Sequence, residues 1–227
     1  MKLKGVLAVL IVAAAGAAFW PAAGGAATFK GVVVAKQHGS LFVTSQSGVV
    51  RAVRGRAAVG SRVVVTGAGA AVVGRARRAL VRGIVVRRVG TTMFLSSNRH
   101  LLAIHNARRL ADSSPTPTTP QPGAVVSAEV SVSNGDLEEQ DEQEVGQVNS
   151  SSIQVQATIS AVGVGTVTLN VQGQTLTVQL PGGLTLPASL VGQTVTISLS
   201  LDQGGDDQGD GDSDGGGSHD GGGGGDG

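Results

Sequence analysis

An all-β protein of tandem, small, partly open β-barrels follows from three features of the sequence. A strand–turn–strand pattern recurs at fixed spacing, apolar residues alternate with Thr at period two, and ring side chains are almost absent. The chain has 227 residues with 4 Phe, 1 Trp and no Tyr. Phe19 and Trp20 lie in an N-terminal apolar segment, leaving Phe29, Phe42 and Phe94 for everything beyond it. Cores made of Val, Leu, Ile and Ala suit thin β modules better than a large globule. The shortage of rings argues against sugar-binding faces and single-strand nucleic-acid grooves, which stack ligands on aromatics. With no Cys, there is no disulfide, thiolate metal site, cysteine nucleophile or lipoprotein anchor.

The N-terminus reads as an export signal. Met1-Lys2-Leu3-Lys4 is basic, Gly5 to Trp20 is 16 residues without charge, and Pro21 precedes the small residues Ala22 to Ala27. This is the order of a secretory signal peptide, with cleavage expected after Gly25 or Ala27. The apolar run is short for a full span of roughly 20 residues. Residues 1–27 are therefore assigned to the signal, and the mature chain is expected to be extracytoplasmic.

The repeat defines the modules. Phe29-Lys30-Gly31-Val32-Val33-Val34 matches Val81-Arg82-Gly83-Ile84-Val85-Val86 at a separation of 52, and Leu41-Phe42-Val43-Thr44-Ser45 matches Met93-Phe94-Leu95-Ser96-Ser97 at the same separation. Val49-Val50 then falls on Leu101-Leu102. A diverged third copy runs from Ala157 through Leu169 and Leu176, and Val191-Gly192-Gln193-Thr194-Val195 repeats Val59-Gly60-Ser61-Arg62-Val63. Thr175 to Leu180 and Thr194 to Leu199 alternate strictly, as half-buried antiparallel strands do. Gly-containing turns between the runs suit hairpins. These matches place a first module at 28–79, a second at 80–133 and a third at 151–202. Arg75 to Ala79 is expected to belong to a strand running on towards Gly83.

Between and after the modules lie segments expected to be linkers. The Pro/Thr-rich stretch 111–122 falls inside the second repeat. Residues 134–150 carry the acidic run Asp136 to Glu144, read as a disordered linker or a short exposed helix. Residues 203–227 hold 13 Gly and 7 Asp and are expected to be disordered.

Charge is segregated. From Thr28 to Leu110 there are 15 basic residues and no acidic one; from Ala111 to Gly227 there are 16 acidic residues and no basic one. The net charge of +1 conceals this. Either the basic half faces an external polyanion, or the two halves neutralise each other within or between chains. The candidate polyanion-binding residues are Arg51, Arg54, Arg62, Arg75, Arg77, Arg78, Arg82, Arg87 and Arg88. On strands, Arg75 and Arg77 would share one face, and Arg82 and Arg88 another. Guanidinium groups suit phosphate and carboxylate through paired hydrogen bonds.

Signals for catalysis are weak. Outside the Pro/Thr-rich insertion 111–122, Glu129 and Asp202 are the only acids within the assigned modules, and neither is close in sequence to His38, His100 or His105. No carboxylate pair or nucleophile triad can be assembled. Asp210, Asp212 and Asp214 match the opening of a calcium loop, but its twelfth position is Gly221 where a Glu is needed. That leaves weak cation attraction by an acidic tail and no cofactor.

The strand–Gly–turn unit of Gly31 to Ser45 with Val59 to Gly67, repeated in Gly83 to Ser97, resembles a family of secreted, OB-like bacterial domains of unknown function found on actinobacterial-type envelopes. The resemblance implies small OB-like barrels and an envelope location, and it carries over no catalytic residues. The expected function is that of an exported, non-catalytic envelope-associated binding module whose Arg-rich half contacts an anionic surface polymer. The alternative is a structural or assembly protein whose basic and acidic halves associate. No intracellular nucleic-acid partner is expected.

Overall fold

The computed structural model describes residues 11–12, 28–37, 39–67, 69–106, 119–133 and 136–201. Most of them are strand, and only two short 3-10 turns are helical. The strands are β1 (Ile11–Val12), β2 (Phe29–Gln37), β3 (Ser40–Thr44), β4 (Val50–Arg54), β5 (Ser61–Thr66), β6 (Gly69–Arg75), β7 (Arg78–Val89), β8 (Thr92–Ser97), β9 (His100–His105), β10 (Ala124–Ser133), β11 (Asp136–Gln147), β12 (Ser152–Gly163), β13 (Thr166–Val171), β14 (Gln174–Gln179) and β15 (Thr194–Ser200). No helix among the described residues is long and apolar enough to cross a membrane.

One topology is used three times. In the middle of the chain β7, β8 and β9 form a meander, β10 pairs with β7, β11 pairs with β10, and a parallel contact from Glu138 to His105 joins β11 back to β9. The circuit β7-β8-β9-β11-β10 is therefore closed, which is the Greek-key path of an OB-like barrel. The first module has the same order laid open, β4-β3-β2-β5-β6, as a five-stranded sheet. In the third, β12 pairs with β13 and β15, and β13 with β14.

The acidic run is a strand, not a linker. Asp136–Gln147 forms β11 and pairs with β10 along its length, from Ser133↔Asp136 to Ala124↔Gln147. Its inward positions include Leu137 and Glu139, both buried. The Asn106 side-chain amide donates to Glu139 Oε1 at 3.0 Å, and Glu142, opposite the buried Ala128, turns inward to the Arg88 guanidinium. The second module thus runs to residue 147, and 119–123 leads directly into its fourth strand.

A bulge fixes which face each residue takes. The register slips between Val33 and Ala35 in β2, between Val85 and Arg87 in β7, and between Ile159 and Ala161 in β12. The extra residues are Val34, Val86 and Ser160. Beyond each bulge the next strand offers Phe42, Phe94 or Thr168 as cross-strand partner. Val34, Phe42 and Val50 point away from the first module and join the buried core of the second. Val86, Phe94 and Leu101 point away from the second and join the core of the third. Each module's outer face therefore fills the next module's interior. β8 is buried on both faces as a result, with Met93 and Leu95 serving its own barrel and Phe94 the next.

The junctions share backbone chemistry. Arg82 N–H donates to Gly48 O at 2.8 Å between the first two modules, and Gln156 N–H to Arg99 O at 2.6 Å between the last two. At the end of the series the outer positions are Ser160, Thr168 and Thr175. Ser160 Oγ donates to Thr168 O at 3.1 Å. A polar outer face is what a terminal repeat needs to stop stacking.

Gly31 and Gly83 lie within the first strand of their modules, close against the second. A Cβ on Gly83 would lie 2.5 Å from Ser96 O and 2.9 Å from Leu95 Cγ, and one on Gly31 would strike Thr44 O. Gly83→Ala is expected to destabilise the protein by about 1–3 kcal/mol. Gly74→Ala, where no atom lies within 4 Å, is expected to change stability by less than about 0.5 kcal/mol. Urea midpoints of the two variants measure the difference.

Candidate anion-binding groove

The first module contains no acid, and its strands place cations on one outer face. Lys30 on β2 pairs with Val64 on β5, and Arg62 on β5 pairs with Val32 on β2. Directly opposed residues share a face, as do i and i+2, so Lys30 and Arg62 are diagonal neighbours on the same side of the sheet. Both are exposed. The start of β7 crosses this face and brings Arg78 alongside. Lys30, Arg62 and Arg78 line one groove with Ser45 and Gln46 at its rim, enclosing a volume of about 410 Å³. The floor is apolar, formed in part by Val32 and Val64. Thr44 Oγ1 donates to Leu80 O at 2.5 Å and ties the two modules together beside it.

Arg78 is bound to Glu129 at 3.0 Å, with side-chain exposures of 68% and 42%. An ion pair this wet contributes about 0–1 kcal/mol. A ligand anion can therefore compete for Arg78 at small cost. Three guanidinium or ammonium groups over an apolar floor favour an anion of spread charge, such as a phosphodiester or carboxylate, held by paired N–H donors. Lys30 was not among the residues singled out from sequence; the cross-strand register is what brings it to Arg62.

The other candidate arginines separate into surface and structural groups. Arg54 lines a second, shallower depression with Lys36 and Arg56, of about 790 Å³. Arg51 lies 4.9 Å over the Phe29 ring, a cation–π contact. Arg75 ends β6 opposite Ser61. Arg77 is exposed in the bend that follows, its carbonyl accepting from Val132 N–H at 2.8 Å. The bend separates two strands, so Arg75 and Arg77 do not share a strand face as the alternation implied. Arg82 is exposed on β7.

Arg87 and Arg88 do structural work. The Arg87 guanidinium donates to Thr177 O of the third module at 3.2 Å. Arg88 donates to both carboxylate oxygens of Glu142, at 2.7 and 2.9 Å. The side chains of that pair are only 16% and 8% exposed. Arg88 sits opposite Met93, an inward position, because the bulge at Val86 reverses the alternation. Arg82 and Arg88 therefore face opposite ways, and Arg88 does not contribute to an anion-binding surface.

His100 opens β9 and His105 closes it. The His100 ring packs edge-on against Phe42, centroids 5.0 Å apart, and His105 Nδ1 lies 3.1 Å from Thr92 Oγ1. His38 and Asp210, Asp212 and Asp214 lie outside the described residues. Among the described residues, no group of three or more His, Asp or Glu is placed to hold a metal ion. No family model matches the chain, and no curated protein or solved structure matches it.

Burial holds the His100 imidazole below its ordinary pKa of 6.5. The neutral form is favoured in the folded state, so its contribution to stability is complete above the unfolded value. It is lost as pH falls through 6.5 towards the lowered folded value. Urea midpoints between pH 7.5 and 5 are expected to fall more steeply for the native chain than for His100→Phe, which keeps a ring against Phe42.

Proposed function

We propose that the protein is an exported, non-catalytic, envelope-associated binding module that contacts an anionic surface polymer through its first module. The observation that carries this reading is the convergence of Lys30, Arg62 and Arg78 on one groove, in a stretch of chain with no acidic residue from Thr28 to Leu110. Two exposed neighbouring cations repel each other in the free protein and are relieved when an anion enters. Outside the cytoplasmic membrane, the abundant anions of this kind are phosphate-bearing wall polymers and acidic glycans. The expected signal peptide at 1–27 and the resemblance of the repeats to secreted OB-like envelope domains support this location.

A second reading has its own observation. The Arg78–Glu129 and Arg88–Glu142 pairs join the basic strand β7 to the acidic strands β10 and β11 within one barrel. These pairs support a reading in which part of the charge segregation serves association inside the chain. This internal neutralisation engages β7 and not Lys30 or Arg62 of the first module.

The test uses the full chain, because a fragment ending near residue 110 would lack β10 and β11. The native protein is loaded on a phosphorylated cellulose column and eluted with salt. Retention is expected, and Lys30→Gln/Arg62→Gln is expected to elute earlier. Its salt dependence should be shallower by about two counterions. Failure of the native chain to bind, or co-elution of the variant with it, would contradict the proposal.

A further inference from the structure

The first two modules each make a fifth strand directly after the fourth: β6 follows β5 and β11 follows β10, both antiparallel. Among the described residues the third has no such strand following β15. Beyond β15 and Leu201, the sequence from Gln203 holds 13 Gly and 7 Asp, with no apolar alternation to face a core. Beside β15, on the side away from β12, lies β1 instead. Ile11 pairs with Ile197 and Val12 with Thr196, antiparallel. This is the position that β6 holds beside β5 and β11 beside β10.

The backbone of β15 is divided between its two neighbours. Leu201 N–H donates to Ser151 O at 2.8 Å, and Gln193 O accepts from Ile159 N–H at 3.0 Å. Alternate residues of an extended strand direct their N–H and C=O to the same side. Val195, Ile197 and Leu199 therefore bond towards β12, while Thr196 and Ser198 present theirs to the opposite edge. The side chains of Val195, Ile197 and Leu199 are buried in the third core. A strand added at this edge must be apolar opposite them. Gly5 to Trp20 is an uncharged run rich in Val, Leu, Ile and Ala.

We propose that the β15 edge is a strand-accepting site, and that its occupant in the unprocessed chain is the apolar N-terminal segment around Ile11–Val12. That segment takes the place that β6 and β11 hold in the first two modules. Removal of residues 1–27 then uncovers a row of backbone donors and acceptors that a free edge must otherwise leave to water.

Residue-resolved hydrogen exchange on the full 227-residue chain tests this, with the double variant Ile11→Pro/Val12→Pro as comparison. Proline removes the ladder donors of the added strand. The Thr196 and Ser198 amides are expected to exchange at least about tenfold faster in the variant, while Val195, Ile197 and Leu199, bonded to β12, keep their rates. Equal exchange of Thr196 and Ser198 in both chains overturns the proposal. Acceleration of all five amides together also overturns it, since that reports loss of the module and not of an edge. Protection of Thr196 and Ser198 that rises with concentration in the variant would assign the edge to a second copy and overturn the choice of occupant.

Discussion

The structure depends on one packing constraint: a small barrel made of Val, Ala and Leu cannot fill its own interior. Five short strands enclose a space that aromatic side chains would ordinarily occupy, and this chain has almost none to spend. The solution is to borrow bulk from the preceding module. Phe42, with Val34 and Val50, enters the core of the second module, and Phe94, with Val86 and Leu101, enters the core of the third. A buried Phe is worth about 1.5–3 kcal/mol relative to an exposed one. Two well-placed rings therefore fill the cores of the second and third modules and fix the order of the series. At the bulge in each first strand, Val33 and Val85 point inward, Val34 and Val86 point outward, and the extra residue keeps Ala35 and Arg87 on the outer side opposite Phe42 and Phe94.

Directionality follows. Each module offers a filling face and receives one, so the series has a start and an end. It ends where Ser160, Thr168 and Thr175 replace the apolar trio, and there the outer face is content with water. It starts with a first module whose sheet remains open between β4 and β6 and whose outer surface carries Lys30 and Arg62. The first module, whose sheet is open, is also the one with no acid. The cations nearest the junctions, Arg87 and Arg88, are engaged by the third module and by Glu142, leaving those of the first module to face solvent.

Much of this was legible in the sequence. The 52-residue spacing sets Gly31 against Gly83 and Phe42 against Phe94; both glycines lie where a Cβ would strike the second strand, and both Phe residues sit opposite a bulge in the first. The third strand was aligned one residue out. Thr44 pairs with Val50 and Ser96 with Leu101, so the loop of the first copy is one residue longer, absorbed by Ser45–Val49 with Gly48 at a φ of 81°. The second copy turns instead through Asn98 and Arg99 at φ of 49° and 69°. The acidic strand β11 was missed because its composition is that of a solvated segment. What makes it a strand is the ladder offered by β10, the inward Leu137 and the buried partners of Glu139 and Glu142, none of which local alternation reveals. Arg88 was misassigned for a related reason: one bulged residue reverses every face beyond it. In the groove, Arg62 and Arg78 were visible as charges, but Lys30 joined them only through the β2–β5 register.

The central claim is that Phe94 belongs energetically to the module after its own. Hydrogen exchange across the full chain carrying Phe94→Ala tests it most directly. The account predicts a loss of about 3–5 kcal/mol, read first at the core amides of β12, β13 and β15, such as Ile159, Leu169 and Ile197, with β10 and β11 less affected. Loss confined to β7–β11, with the third module's protection unchanged, would contradict it.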